Sequence, residues 1–157
     1  MFQEEKLKTV INEILAPFVA ERALFIVDIK VSASSKIMVF VDGMENIRIE
    51  QCAEISRFLE AYLEENGLVG EKYTMEVSSP GMGSPLLVEQ QYEKSINKPV
   101  EVLMDSGIKI EGTLLSKDEN SITLKVEKKV KQKVVEEQEV NIPRLNIKSI
   151  IRPIKFS

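Results

Sequence analysis

The stretch Glu76-Val77-Ser78-Ser79-Pro80-Gly81-Met82-Gly83-Ser84-Pro85-Leu86 joins two halves of the chain that follow different patterns. Its first residues alternate as a strand does, and two prolines and two glycines then restrict the backbone path. The chain contains no histidine that could activate the two adjacent hydroxyls. The turn can instead present hydroxyls and backbone N–H groups to a partner. The first candidate binding residues are therefore Ser78, Ser79, Pro80 and Gly81.

Before this stretch, the pattern predicts two helices and three strands. An apolar stripe with helical spacing runs from Leu7 to Phe18, and we expect that helix to end or kink near Pro17. Two antiparallel strands, a second helix and an alternating third strand follow, over Leu24–Val31, Lys36–Asp42, Ile49–Glu65 and Tyr73–Ser78. The order α-β-β-α-β predicts a two-layer α+β domain over residues 1–82, with both helices on one face of the sheet.

After Pro85, the pattern predicts a short helix over Val88–Ser95 and then five short strands. These are expected over Val100–Asp105, Lys109–Ser116, Ser121–Glu127, Val134–Asn141 and Leu145–Ile151, with Lys128–Lys133 as one of the breaks. Short strands at this spacing predict a small closed barrel over residues 83–157. Gly112 suits the sharp bend that such a barrel needs.

Composition excludes several classes of function. The chain has 157 residues, no histidine and one cysteine. Histidine-dependent catalysis, the usual zinc sites and an intramolecular disulfide are therefore excluded, and no metal or cofactor is expected. No apolar run reaches the ~18–20 residues of a membrane span, and the polar start does not resemble a secretory signal. A cytoplasmic protein is predicted, and a hydrolase or transferase that uses carboxylates is the remaining enzymatic alternative.

The net charge of −4 is distributed unevenly along the chain. Residues 1–82 carry 8 Lys and Arg against 14 Asp and Glu, whereas residues 83–157 carry 13 against 11. The acidic half can bind a basic protein more readily than a phosphate backbone. Its carboxylates cluster in and around the second helix, where they form either a docking surface or an ordinary solvated face: Glu45, Glu50, Glu54, Glu60, Glu64, Glu65 and Glu71.

The strongest basic cluster consists of Lys125, Lys128, Lys129, Lys131 and Lys133. It is either an RNA phosphate contact on a hairpin or a solvated hairpin whose lysines discourage aggregation. Four nearby glutamates dilute its field, and no aromatic residue is interleaved for base stacking. Lys128, Lys129 and Lys131 are nevertheless candidate RNA contacts. Asp42, which ends the second predicted strand and precedes Gly43, is either a turn residue or a binding residue.

These residues resemble the bacterial ribosome maturation factor RimP family. The resemblance rests on Glu76–Gly81 with Pro85-Leu86, on Val41-Asp42, and on Cys52 with Ser56-Arg57. The order of an α/β domain followed by a five-stranded domain is also similar. Two positions differ: Gly83-Ser84 replaces the family's usual Asp-Arg pair, and Glu50-Gln51 replaces its acidic pair.

The resemblance implies that the second domain is an Sm-like (SH3-like) barrel and that the protein is a non-enzymatic, cytoplasmic assembly factor. We also expect a monomer. Its implied partners are the small ribosomal subunit and its precursor, the basic ribosomal protein of the decoding centre, and rRNA. Asp42 and Arg57 join the candidate partner-binding residues on this basis. The alternative is a general Sm-like RNA-binding module with an accessory domain.

Overall fold

The computed structural model describes residues 4–81 and 83–153. The chain divides into two compact units, Met1–Pro80 and Gly81–Ser157. Met82, at which the predicted N-terminal domain ends, lies outside the described residues. The polar start at residues 1–3 and the last four residues of the predicted second domain also lie outside them.

The first unit has the predicted α-β-β-α-β order, which confirms that part of the α+β prediction. Its elements are α1 (Glu4–Ala20), β1 (Leu24–Val31), β2 (Lys36–Gly43), α2 (Ile49–Glu65) and β3 (Thr74–Ser78). The sheet has the order β1-β2-β3. β1 and β2 are antiparallel, as predicted, whereas β2 and β3 are parallel. Parallel neighbours need a crossover connection, and α2 provides it.

The core of the first unit lies on the face of the sheet that both helices cover. Alternate residues of β2 are completely buried there, since side chains of a strand alternate between faces. The apolar stripes of both helices pack against them. The cluster includes Leu7, Ile11, Leu15, Val19, Ile37, Val39, Val41, Ile55, Leu59 and Leu63.

The helix was expected to end or kink near Pro17, but α1 continues three residues further, to Ala20. Pro17 lies in the last turn of the helix, where a missing N–H removes one hydrogen bond without stopping the chain. Its carbonyl still accepts a hydrogen bond from the N–H of Glu21, at 3.2 Å.

The second unit contains a short helix, α3 (Glu89–Lys94), and a five-stranded antiparallel sheet. The strands are β4 (Pro99–Met104), β5 (Lys109–Lys117), β6 (Ser121–Val130), β7 (Lys133–Pro143) and β8 (Ile147–Ile151). The order across the sheet is β7-β6-β5-β4-β8. Its core consists of Val100, Val102, Leu114, Ile122, Leu124, Ile142 and Ile150. A mixed α+β protein results.

Two predictions for the second unit were wrong in detail. Lys128–Lys133 is not a break, because β6 and β7 remain paired as far as Val130 and Lys133. The turn uses only Lys131 and Gln132, both with positive φ, as in the tight turns that match the twist of a hairpin. The last strand begins at Ile147 and not at Leu145 as predicted, because Arg144–Asn146 forms a 3-10 helix. Leu145 is 92% exposed there, so this apolar residue is not part of the core.

The closed barrel stays a prediction. Among the described residues, no strand pairing joins β7 to β8. Gly112 lies where the backbone of β6 approaches β5 closely: a Cβ there would be 2.7 Å from the carbonyl oxygen of Lys125. The glycine is therefore needed for the close packing of two strands.

Candidate functional site

The register of β2 and β3 places Asp42 and Ser78 on the same face of the first sheet, in diagonal positions of neighbouring strands. Ser78 ends β3 and pairs with Phe40 of β2, and Asp42 follows Phe40 by two residues on the same face. This face is opposite to the one that packs against the helices, because the intervening Val39, Val41 and Val77 belong to the core side. Both candidate side chains are half-buried. The parallel pairing of β2 and β3 thus creates a neighbourhood of two polar groups.

The Ser79-Pro80-Gly81 segment leaves this sheet without regular secondary structure. Ser79 and Gly81 are exposed, and Pro80 is half-buried. The N–H of Ser84 donates to the carbonyl of Gly81 at 3.2 Å, which closes a turn. The segment therefore exposes a hydroxyl and backbone groups, as its sequence predicts, in a chain that has no histidine to make a nucleophile of the serine.

Arg57 is exposed on α2, away from the buried Ile55 and Leu59. The helix packs on the core face of the sheet, so Arg57 is not part of the Asp42–Ser78 neighbourhood. Gln51 accepts a hydrogen bond from the N–H of Arg48 at 2.9 Å, which satisfies a free donor at the helix N-terminus.

The acidic residues around α2 fall into two groups. Three of them have local partners: Glu54 pairs with Arg22, Glu60 accepts from the Ser56 hydroxyl, and Glu64 accepts from the Tyr73 hydroxyl. Burial, with the Glu64 hydrogen bond and charge, raises the pKa of Tyr73 to about 12. The other group is exposed and forms no ion pair with a described residue: Glu45, Glu50, Glu65 and Glu71. This second group keeps an uncompensated negative surface on the unit.

The candidate lysines Lys128, Lys129 and Lys131 are exposed at the end of the β6–β7 hairpin. The six residues 128–133 carry four lysines and no carboxylate. Lys125, further from the turn, and Lys129, within this tip, lie 3.6 and 3.9 Å from the carboxylate of Glu127. The hairpin therefore has a basic tip and a mixed, partly neutralised base.

Sequence reasoning missed a charged cluster that attaches α3 to the sheet of the second unit. Both terminal nitrogens of Arg144 pair with the carboxylate of Glu89, one with each oxygen. Nζ of Lys117 lies 2.9 Å from Oε2 of the same carboxylate. The guanidinium of Arg144 also lies over the ring of Tyr92, 4.7 Å from its centre. Hydrogen bonds from Arg144 and Lys117 lower the pKa of Glu89 from 4.5 to about 2. Because 28 and 55 residues separate the partners, no local pattern could reveal the cluster.

No group of three or more Cys, Asp or Glu within residues 4–81 and 83–153 is arranged to hold a metal ion. In the same ranges, no helix is long and apolar enough to cross a bilayer. A cavity of about 820 Å³ in the first unit is lined by Leu7, Val10, Ala33, Ser35 and residues 67–70 with Glu4 and Lys6.

Comparisons with known proteins cover almost the whole chain. The family model described as the RimP N-terminal domain matches residues 14–83. A ribosome maturation factor RimP of Cytophaga hutchinsonii is 36% identical over 158 residues, which cover 94% of this chain and 92% of that relative. A protein of the same name from Porphyromonas gingivalis is 30% identical over 149 residues, covering 92% of this chain and 96% of the relative.

Proposed function

Because the chain belongs to the RimP family of ribosome maturation factors, we propose that it binds the small ribosomal subunit or its precursor and assists its maturation. The observation that carries this proposal is the 36% identity with a ribosome maturation factor over 94% of the chain. Action in the cytoplasm, as a monomer and without catalysis, belongs to the same proposal. The chain's lack of histidine is consistent with a binding role.

The proposed mechanism is charge complementarity between the acidic first unit and a basic ribosomal protein of the decoding centre. Residues 1–82 carry an excess of six negative charges, and the exposed carboxylates around α2 have no ion-pair partner among the described residues. Such a surface attracts a basic protein because their charges are opposite. While bound, this surface occupies basic groups that would otherwise contact RNA and so delays that contact. The Ser78–Gly81 segment, Asp42 and Arg57 are proposed to contribute polar contacts.

The second unit is proposed to be an Sm-like (SH3-like) barrel that approaches rRNA. The strand order β7-β6-β5-β4-β8 and the close approach of β5 and β6 at Gly112 support a strongly curved sheet. Residues 1–82 and 83–157 are proposed to be the corresponding domains. The four lysines of the hairpin tip support RNA contact by Lys128, Lys129 and Lys131.

Sucrose-gradient fractionation of native lysate tests the proposed function. We expect the protein to be enriched with free small subunits and absent from assembled ribosomes and polysomes. Recovery only at the top of the gradient at low salt would contradict the proposal.

A matched pair of variants tests the Ser79–Gly81 segment. The S79A/P80A/G81A variant should bind small subunits about tenfold more weakly. Its fold should survive, because a Cβ at Gly81 would make only an ordinary contact, 3.8 Å from the Ser84 hydroxyl. The control S34A/G70A changes exposed residues of the first unit and should bind normally. Equal binding by both variants would exclude the segment as a contact.

The second candidate function is a general RNA-binding module, which the basic hairpin tip favours. It predicts that the protein binds RNA without preference for the small subunit. Replacing Lys131 and Lys133 by glutamine would then reduce the slope of binding against salt by about two. Selective binding to small subunits with no measurable affinity for unrelated RNA would exclude this candidate.

A further inference from the structure

The two edges of the sheet in the second unit differ in how they are covered. β8 is only five residues long, and β4 occupies one of its sides. On β8, the carbonyl of Ile150 accepts a hydrogen bond from the N–H of Leu86 at 2.8 Å, and Pro85 forms a bridge with Ile151. The segment before α3 therefore covers this edge and satisfies part of its backbone.

The opposite edge, β7, is eleven residues long and has no such cover. Access to this edge requires a barrel that stays open between β7 and β8, which no strand pairing among the described residues joins. β6 occupies one side of β7 over its whole length. Among the described residues, no backbone hydrogen bond reaches its other side. Residues 133–139 are all exposed. A long strand edge with free N–H and C=O groups is a template on which another extended chain can form a strand.

Charge on β7 indicates which chains would fit this edge. Glu136, Glu137 and Glu139 lie on both faces of the strand, because side chains alternate. Glu136 and Glu139 lie opposite Lys128 and Lys125 on β6, whereas Glu137 lies opposite Glu127, and like charges in that position are unfavourable. A lysine or arginine on an added strand would compensate Glu137, which has no cation opposite it on β6. The exposed Val134 and Val135 add apolar contact area beside it.

We propose that the outer edge of β7 binds an extended segment of a basic polypeptide as an additional strand. The inference rests on the proposed function, because it adds a contact of the second unit with the basic ribosomal protein to the proposed contact through the acidic surface of the first unit. Backbone hydrogen bonds supply the docking geometry, and the glutamates select a basic chain. The alternative is that these glutamates only protect the edge of β7 from unwanted strand pairing with other chains.

The probe for this proposal is a capped decapeptide of alternating lysine and threonine, added to the full-length protein. We expect binding together with slower amide hydrogen exchange along Lys133–Pro143. Two further versions of the peptide are N-methylated on alternate residues, either the lysines or the threonines. Only one edge of a bound strand faces β7, so one version should bind about tenfold more weakly than the other. Equal binding by all three peptides, protection elsewhere, or no binding would overturn the proposal.

Charge reversal provides a second test with a matched control. E136K/E137K should weaken peptide binding about tenfold. E111K/E119K changes the same charge at exposed positions of the same unit and should change it less than about twofold. In the gradient experiment, E136K/E137K should also associate less with small subunits. Normal association of this variant would overturn strand addition while leaving the proposed function in place, whereas failure of the unmodified protein to associate would contradict the proposed function itself.

Discussion

Thirteen buried hydrophobic residues form the described core of the first unit, and seven form that of the second. Each unit also has an arginine that lies over an aromatic ring and pairs with a glutamate: Arg22 with Phe18 and Glu54, and Arg144 with Tyr92 and Glu89. In the first unit, Phe18 stacks on Phe58, with ring centres 4.1 Å apart, so this cluster extends the apolar core.

In the second unit, Glu89 holds two cations, Arg144 and Lys117, and attaches a six-residue helix to the sheet. A unit that buries less apolar surface has less hydrophobic stabilisation available. We therefore expect the loss of a charge to destabilise the second unit more than the first, and the loss of a buried methyl group to destabilise both.

The largest expected effect comes from deleting a buried leucine in either core. Leu59 and Leu124 are both completely buried, and Leu→Ala at such sites costs about 2–5 kcal/mol. We expect L59A to reduce hydrogen-exchange protection chiefly in the first unit and L124A chiefly in the second. Exchange measured residue by residue checks this. An equal loss of protection throughout the chain for both variants would contradict the distinction between the two cores.

Elements with strong periodicity could be predicted well from the sequence. The bounds of α2 and β1 agree with the prediction, because both have long apolar patterns with clear ends. The hairpin turn at Lys131 and Gln132 was missed, since lysine and glutamine are not typical of positive φ. The conformation of this turn is determined by the pairing of β6, which has ten residues, with β7, which has eleven.

The candidate site could be predicted only in part. The exposed Ser79–Gly81 turn follows from its prolines and glycines. The proximity of Asp42 and Ser78 depends on the parallel pairing of β2 and β3, which strand patterns alone do not specify. The Glu89 cluster joins residues far apart in sequence, so only the three-dimensional structure could reveal it.

An intermediate effect is expected for Gly112→Ala, which tests the tighter packing of the second sheet. The added Cβ would lie 2.7 Å from the Lys125 carbonyl oxygen and 3.3 Å from Leu124 Cβ. Separating the strands should cost roughly 1–3 kcal/mol in the free energy of unfolding. Gly70→Ala is the control, because nothing lies within 4 Å of its added Cβ. Denaturant unfolding that shows the same stability for both variants would mean that β5 and β6 can separate freely at this point.

The smallest expected effect is that of Glu89→Gln, which removes the charge that holds Arg144 and Lys117. Because the side chain of Glu89 is 52% exposed, we expect a loss of only about 1 kcal/mol at neutral pH. The exposed Glu119→Gln is the control.

The pH dependence of this loss identifies its cause. Folding lowers the pKa of Glu89 from 4.5 to about 2, so its carboxylate stabilises the native state above pH 4.5. That contribution falls as the pH drops from 4.5 towards 2. The stability difference between wild type and E89Q should therefore shrink across this window, as measured by urea unfolding at a series of pH values. A difference that stays constant down to pH 2 would assign the loss to altered packing of α3 and would remove the charge-based contrast between the two units.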